Sequence, residues 1–218
     1  CMGDEIMDIS WYGHSCFRLG ERGVVVVTDP FSDEMGYARP RIRADVVTIS
    51  HDHPGHNNRI GFRGGPHFFD GPGEYEVRGV FLTGITTYHD GRRGAARGRN
   101  TVFVFDFDGL TACHLGDLGH IPAQAKIESL SDVDVLLVPV GGLHSLDAST
   151  ATEVISLIEP RLVIPMHYKT PKEKARLQKV DNFFKEMGLA PVPPVPEFRV
   201  TKSSLPSETQ VVQLALSQ

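Results

Sequence analysis

The feature that most constrains this chain is a repeated local pattern: a short apolar run, then a histidine or aspartate, then a loop. VVVVT leads into Asp29, VVTIS into His51, FLTGITTY into His89, LTACHLG into Asp117 and RLVIPM into His167. Runs this short, bounded by Gly and Pro, suit strands better than helices. Val24 to Val27 is uninterrupted, as expected for a strand buried on both faces. Layered α/β proteins carry their sites where strands give way to loops, so the polar residue closing each run becomes a candidate.

The first half reads as strands over 6–12, 15–19, 23–28 and 45–49, followed by two more within 74–88. The Gly- and Pro-rich stretch 64–73 reads as loop. Phe103, Phe105 and Phe107 alternate onto one face, and Asp108-Gly109 before the run Leu110 to His114 marks a hairpin. The second half alternates strand and helix. A short helix is expected from Pro122, and a buried strand over 133–139. A helix over 149–158 places Ala151, Val154, Ile155 and Ile158 together, with Thr150 and Glu153 as a capping box. A strand over 161–166 leads to a further helix, with Thr170 as N-cap, Pro171 at its first position and Gly188 just past its end. Its apolar stripe is Leu177, Val180, Phe184 and Met187. Residues 190–197 are proline-rich and extended, and 198–201 and 209–216 offer final strands. No repeat is present, and the whole chain, 1–218, reads as one layered α/β domain.

Composition narrows the function classes. A net charge of −5 argues against a dedicated nucleic-acid binder. The three cysteines, Cys1, Cys16 and Cys113, are widely spaced without a CxxC pair, which argues against a disulfide framework or structural zinc knuckle and fits a reducing compartment. Without a membrane-length apolar run or a signal-peptide pattern, a cytoplasmic protein is expected.

The ten histidines carry the chemistry. SHDHPGHNN holds His51, His53 and His56; at a strand end, the first two point the same way, and the Pro-Gly turn curls the third back. Neutral imidazole ligates zinc, iron, copper or nickel. His14 and His144 read as hydrogen-bonded structural histidines, His67 and His120 as exposed loop residues, and Cys113 as core.

Taken in order, WYGHSCF, VVTDPF, SHDHPGH, TYHD, HLGD and PMHY resemble the metallo-β-lactamase superfamily over nearly the whole chain. They are most similar to its small hydrolase branch related to ascorbate-phosphate lactonases. The resemblance implies a four-layer αββα sandwich with metals at one edge. By the same resemblance, His51, His53 and His89 match a first metal site, Asp117 the bridging aspartate, and His56 and His167 the second site. Asp29 matches an aspartate that supports the histidine loop from behind. One position departs: the family loop reads HxHxDH, and here its aspartate is Gly55. With that anionic donor gone, one firm cation is expected and a second weak or absent one. Zinc is the expected metal, with manganese, iron or nickel as alternatives.

These readings imply metal-assisted hydrolysis of an ester, lactone or phosphodiester-type small molecule, with Asp117 and His114 as catalytic candidates. Asp90 is a second candidate for proton relay, and alternation turns Asp52 away from the metal. The loop HDGRRGAARGRN offers Arg92 and Arg93 as a clamp for an anionic substrate. Two other classes remain open: a non-catalytic metal-binding or regulatory module, for which Gly55 speaks, and a nuclease, for which the chain shows no added nucleic-acid-gripping domain. Homo-oligomerisation is left open.

Overall fold

The computed structural model describes residues 5–107, 109–130 and 132–217. Cys1 and Asp108, both read from the sequence, lie outside them. The strands are β1 (Met7–Gly13), β2 (Cys16–Glu21), β3 (Val24–Thr28), β4 (Val46–Thr48), β5 (His67–Phe69), β6 (Gly73–Val77), β7 (Val80–Tyr88), β8 (Arg99–Asp106) and β9 (Thr111–His114). Then come α1 (Gln124–Glu128), β10 (Val135–Pro139), α2 (Ala148–Ile158), β11 (Leu162–Met166), α3 (Val180–Glu186), β12 (Phe198–Val200) and β13 (Gln210–Val211).

Two mixed sheets result. The first runs β12-β1-β2-β3-β4-β5 and the second β13-β11-β10-β9-β8-β7-β6. Alternation along β3 and β4 decides how they are covered. Val24, Val26 and Val46 turn towards the second sheet and join Met7, Ile9, Phe17, Phe103 and Phe105 in the central core. Val27 and Val47 turn the other way, onto Phe31, Tyr37 and Ala44. The uninterrupted valine run is thus buried on both faces, as the sequence implies. Ala151, Val154, Ile155 and Ile158 bring α2 into the main core between two parallel strands, β10 and β11.

The α/β sandwich is therefore present, with one asymmetry. Among the described residues the three α-helices group together, α2 touching α1 and α3. The outer face of the first sheet is covered instead by irregular chain around Phe31 and Tyr37 with a 3-10 turn at Asp33–Met35. Pro30, Gly36 and Pro40 leave no stretch there long enough for an α-helix.

Several local expectations shift. The segment 64–73 contains β5, a parallel edge strand on β4, so exposed His67 belongs to a strand. Helix α1 begins after Ala123, not at Pro122. Helix α2 is capped by Asp147, whose side chain accepts the Thr150 N–H, and not by a Thr150–Glu153 box. The helix expected from Thr170 exists only as α3. Residues before it follow an irregular path because competing bonds hold them: Gln178 N–H donates to Gly141 O and Lys169 N–H to Gln178 O. Glu173 turns inward, and the Lys169 ammonium donates to its backbone carbonyl. Thr170 still caps locally, its Oγ1 accepting the Glu173 N–H at 3.1 Å. No helix among the described residues is long and apolar enough to cross a membrane.

Candidate metal centre

The first sheet delivers His14 just past β1, Asp29 just past β3 and the histidine loop past β4; the second delivers His89 past β7, Asp117 past β9 and His167 past β11. His14, Asp29 and His167 all sit in the left-handed region, with φ of 51°, 38° and 53°. A non-glycine residue there costs about 1 kcal/mol, a strain typical of chain held in place for a site.

The histidine loop is a turn and not a strand end. His56 N–H donates to His53 O at 2.8 Å, and Asn57 N–H to the same carbonyl at 3.0 Å. That turn carries His56 into the buried interior, while His53 N–H, donating to His51 O at 3.1 Å, bends the chain so that the His51 and His53 rings stack 5.8 Å apart. Asp29 holds the loop from behind: its carboxylate accepts Ser50 N–H at 2.7 Å, Ser50 Oγ–H at 2.6 Å and His56 Nδ1–H at 2.8 Å.

Asp117 stands at the centre. Its Oδ2 lies 3.1 Å from His89 Nε2, 3.2 Å from His56 Nε2 and 4.0 Å from His51 Nε2, while Oδ1 lies 3.4 Å from His167 Nε2. Donor atoms group within 4.8 Å of one another in three sets: His51, His89 and Asp117; His51, His53 and His56; and His14, His56 and His167. These residues line a cavity of about 390 Å³ together with Met35, Asp52, Arg97, Leu143, His144, Ala175 and Leu177.

Two features suit the cluster to a divalent cation. Asp117 Oδ1 and His56 Nε2 are buried without a hydrogen-bond partner, which is costly unless something satisfies them. Two of the imidazoles are also in the neutral, ligand form: burial lowers His51 and His167 to about 3, against the pull of Asp117. His56 goes the opposite way. Burial would lower it, but Asp117 and Asp29 outweigh that and hold it at about 10. Burial likewise opposes ionisation of Asp117, yet His167 and His56 keep its carboxyl well below the usual range. The centre is built to hold positive charge between two carboxylates.

Other residues fall elsewhere. The catalytic candidate His114 is fully buried, with Nε2 on Ser15 O at 2.9 Å and Nδ1 accepting Gly116 N–H at 3.2 Å, and it does not line the cavity. Asp90 is taken up by its own loop, accepting the N–H groups of Arg92, Gly94, Ala96 and Arg97. That wrap brings Arg97 to the cavity mouth, whereas Arg92 and Arg93 do not line it. Asp52 reaches the rim, where the Asn57 side chain donates to it. Exposed His144 also lines the mouth. Cys113 is core.

The sequence reading missed His14 as part of the cluster. It closes the apolar run of β1 as His51 closes that of β4, so the same pattern could have found it. It also missed Glu173, whose Oε2 meets His14 Nδ1 at 2.9 Å, because nothing in the sequence pairs the two.

A family model described as "Beta-lactamase superfamily domain" matches residues 8–167. The chain belongs to this family. Among its relatives, a metal-dependent hydrolase of Thermoplasma acidophilum is 30% identical over 76% of this chain and 85% of its own. A metal-dependent hydrolase of Nitratidesulfovibrio vulgaris is also 30% identical, over 74% and 80%. Among solved structures, a candidate Zn-dependent hydrolase of the metallo-β-lactamase superfamily from Thermotoga maritima is 39% identical, with a TM-score of 0.80 over 95% of this chain and 98% of that one. The β-lactamase-superfamily match spans His14 through His167, so every candidate donor lies inside it.

Proposed function

We propose that this protein is a metal-dependent hydrolase of an ester, lactone or phosphodiester-type small molecule. One observation carries the reading: imidazoles from two sheets converge on a single buried carboxylate, Asp117, which lines the cavity and has one oxygen without a hydrogen-bond partner. As the family resemblance implies, His51, His53 and His89 would hold one cation beside Asp117, and His56 and His167 a second; the donor atoms of His51, His89 and Asp117 group together, and His56 groups with His167. The imidazole-rich donor set favours zinc, with manganese, iron and nickel as the metals to compare.

When bound, such a cation polarises the scissile group and lowers the pKa of water to roughly 7. The chain's own residues do the rest. Asp29, itself fixed by Ser50, orients His56 through Nδ1. Asp117 balances the positive charge and is held by a backbone bond to Asn100. Met35, Leu143 and Leu177 give the substrate an apolar wall, and Arg97 a site for an anionic group. His144, exposed at the mouth, is placed to pass a proton to solvent.

The test is a turnover screen over lactones, carboxylic esters, thioesters and phosphodiesters, with the protein loaded in turn with each of the four metals. Hydrolysis of at least one class, lost on Asp117→Asn, is expected. Full metal occupancy with no turnover of any class would assign the protein as a metal-binding module instead.

A further inference from the structure

A Cβ built on Gly55 would stand 2.8 Å from Nε2 of His14 and 3.2 Å from its Cδ2. The space that a side chain at position 55 would enter is therefore filled by an imidazole from the turn after β1. We propose that His14 supplies the donor that Gly55 cannot, completing the second half of the centre with His56, His167 and Asp117. The inference rests on the metal-dependent reading above and concerns how many cations the centre holds and through which atoms.

Three further observations support it. The donor atoms of His14, His56 and His167 group within 4.8 Å, and the His14 ring centroid lies 4.9 Å and 4.3 Å from theirs. Glu173 receives His14 Nδ1–H at 2.9 Å while its other oxygen accepts Ala175 N–H at 2.9 Å. A carboxylate that accepts from Nδ1 fixes the proton there and leaves the Nε2 lone pair free towards the cavity that His14 lines. The backbone, finally, is committed to this placement. His14 O accepts both His167 N–H at 3.1 Å and Trp11 Nε1–H at 3.1 Å, locking two histidines of the set side by side.

The exchange changes the donor chemistry. An anionic oxygen at position 55 is replaced by a neutral nitrogen, so the second position offers three imidazoles and a share of Asp117. That set is softer and less negative, favouring Zn²⁺ over Mg²⁺ or Mn²⁺. It also explains why Gly is needed at 55: any side chain there would collide with the ring that replaces it.

Zinc stoichiometry and affinity decide the matter, measured by elemental analysis after dialysis and by calorimetric titration of metal-free protein with Zn²⁺. The wild type is expected to bind two ions. His14→Ala should bind one, with the other affinity unchanged, and Glu173→Gln should weaken the same ion by about 10–100-fold. Gly55→Asp alone should not strengthen binding, since its side chain meets His14, but Gly55→Asp with His14→Ala should restore the second ion. Circular dichroism identifies any variant that fails to fold, and Glu173→Gln then carries the comparison. Two ions in a folded His14→Ala, or unchanged affinity in Glu173→Gln, would overturn the role of His14 and leave the hydrolase reading standing. A wild type that binds no zinc at all would overturn both.

Discussion

The side-chain oxygen of Asn100 accepts the backbone N–H of Asp117 at 2.9 Å. Its amide nitrogen donates to Thr87 Oγ1 at 2.8 Å and to Leu115 O at 2.9 Å. One fully buried amide thus ties the end of β7, the start of β8 and the turn after β9 together directly beneath the central carboxylate. Asn100→Ala leaves the buried Asp117 N–H unpaired and takes one partner each from Thr87 Oγ1 and Leu115 O, so urea unfolding should show a loss of about 1–3 kcal/mol. Zinc affinity should fall with it, because Asp117 loses its anchor. Unfolding indistinguishable from wild type would show that the amide is dispensable.

A second prediction concerns close approach. A Cβ on Gly141 would stand 2.1 Å from the carbonyl of His167, with Tyr168 Cα at 3.0 Å. Both contacts are backbone, so Gly141→Ala must displace the segment carrying His167. Calorimetric titration should show weakened zinc binding and thermal melting a lowered midpoint. Gly71→Ala, where the added methyl meets nothing within 4 Å, should stay within about 0.5 kcal/mol of wild type.

The arginine loop gives a third. Arg97 lines the cavity while Arg92 and Arg93 do not. Arg97→Ala should raise KM for anionic substrates about tenfold, the loss of roughly one charge-assisted contact, with kcat little changed. The double variant of Arg92 and Arg93 to Ala should match wild type. If the double variant loses affinity instead, the clamp lies where the sequence first suggested.

A fourth prediction tests pH dependence away from the centre. Asp45 feels some burial, which pushes its carboxyl up, but the Val25 N–H, Arg43 and Arg78 outweigh it and hold the carboxyl low. A carboxyl lowered by folding stabilises the native state at pH values above the unfolded aspartate's, about 3.9. That contribution disappears as pH falls through the lower folded value. Asp45→Asn should therefore cost about 1 kcal/mol at pH 7, with the gap to wild type closing as denaturation is repeated towards acid pH. A gap that stays constant with pH would trace the effect to packing.

Most strands were legible because their apolar runs are short and bounded: β3, β10 and β11 are read from Val24–Val27, VLLVP and LVIPM almost residue for residue. Asp29 and His167, which close β3 and β11, converge with the polar residues that follow β1, β4, β7 and β9. What could not be read depended on contacts between distant segments. The helical pattern after Thr170 is overridden where Glu173 turns in to His14 and Gln178 bonds to Gly141. The stacking of His51 on His53 follows from a turn that periodicity does not describe. Gly55 looked like a lost ligand because the imidazole filling its space comes from His14, just past β1 and far away in the sequence.

The candidate donors are divided between the two sheets: His14 and the histidine loop from the first, His89, Asp117 and His167 from the second. An ion seated among them is a rivet through both layers as well as a reagent. Folding and metal loading then become one linked equilibrium, worth about 2.7 kcal/mol when free zinc stands a hundredfold above its dissociation constant. Chelation should lower the melting temperature as well as abolish turnover, and selection for tighter cohesion between the layers would act on the very atoms that set reactivity.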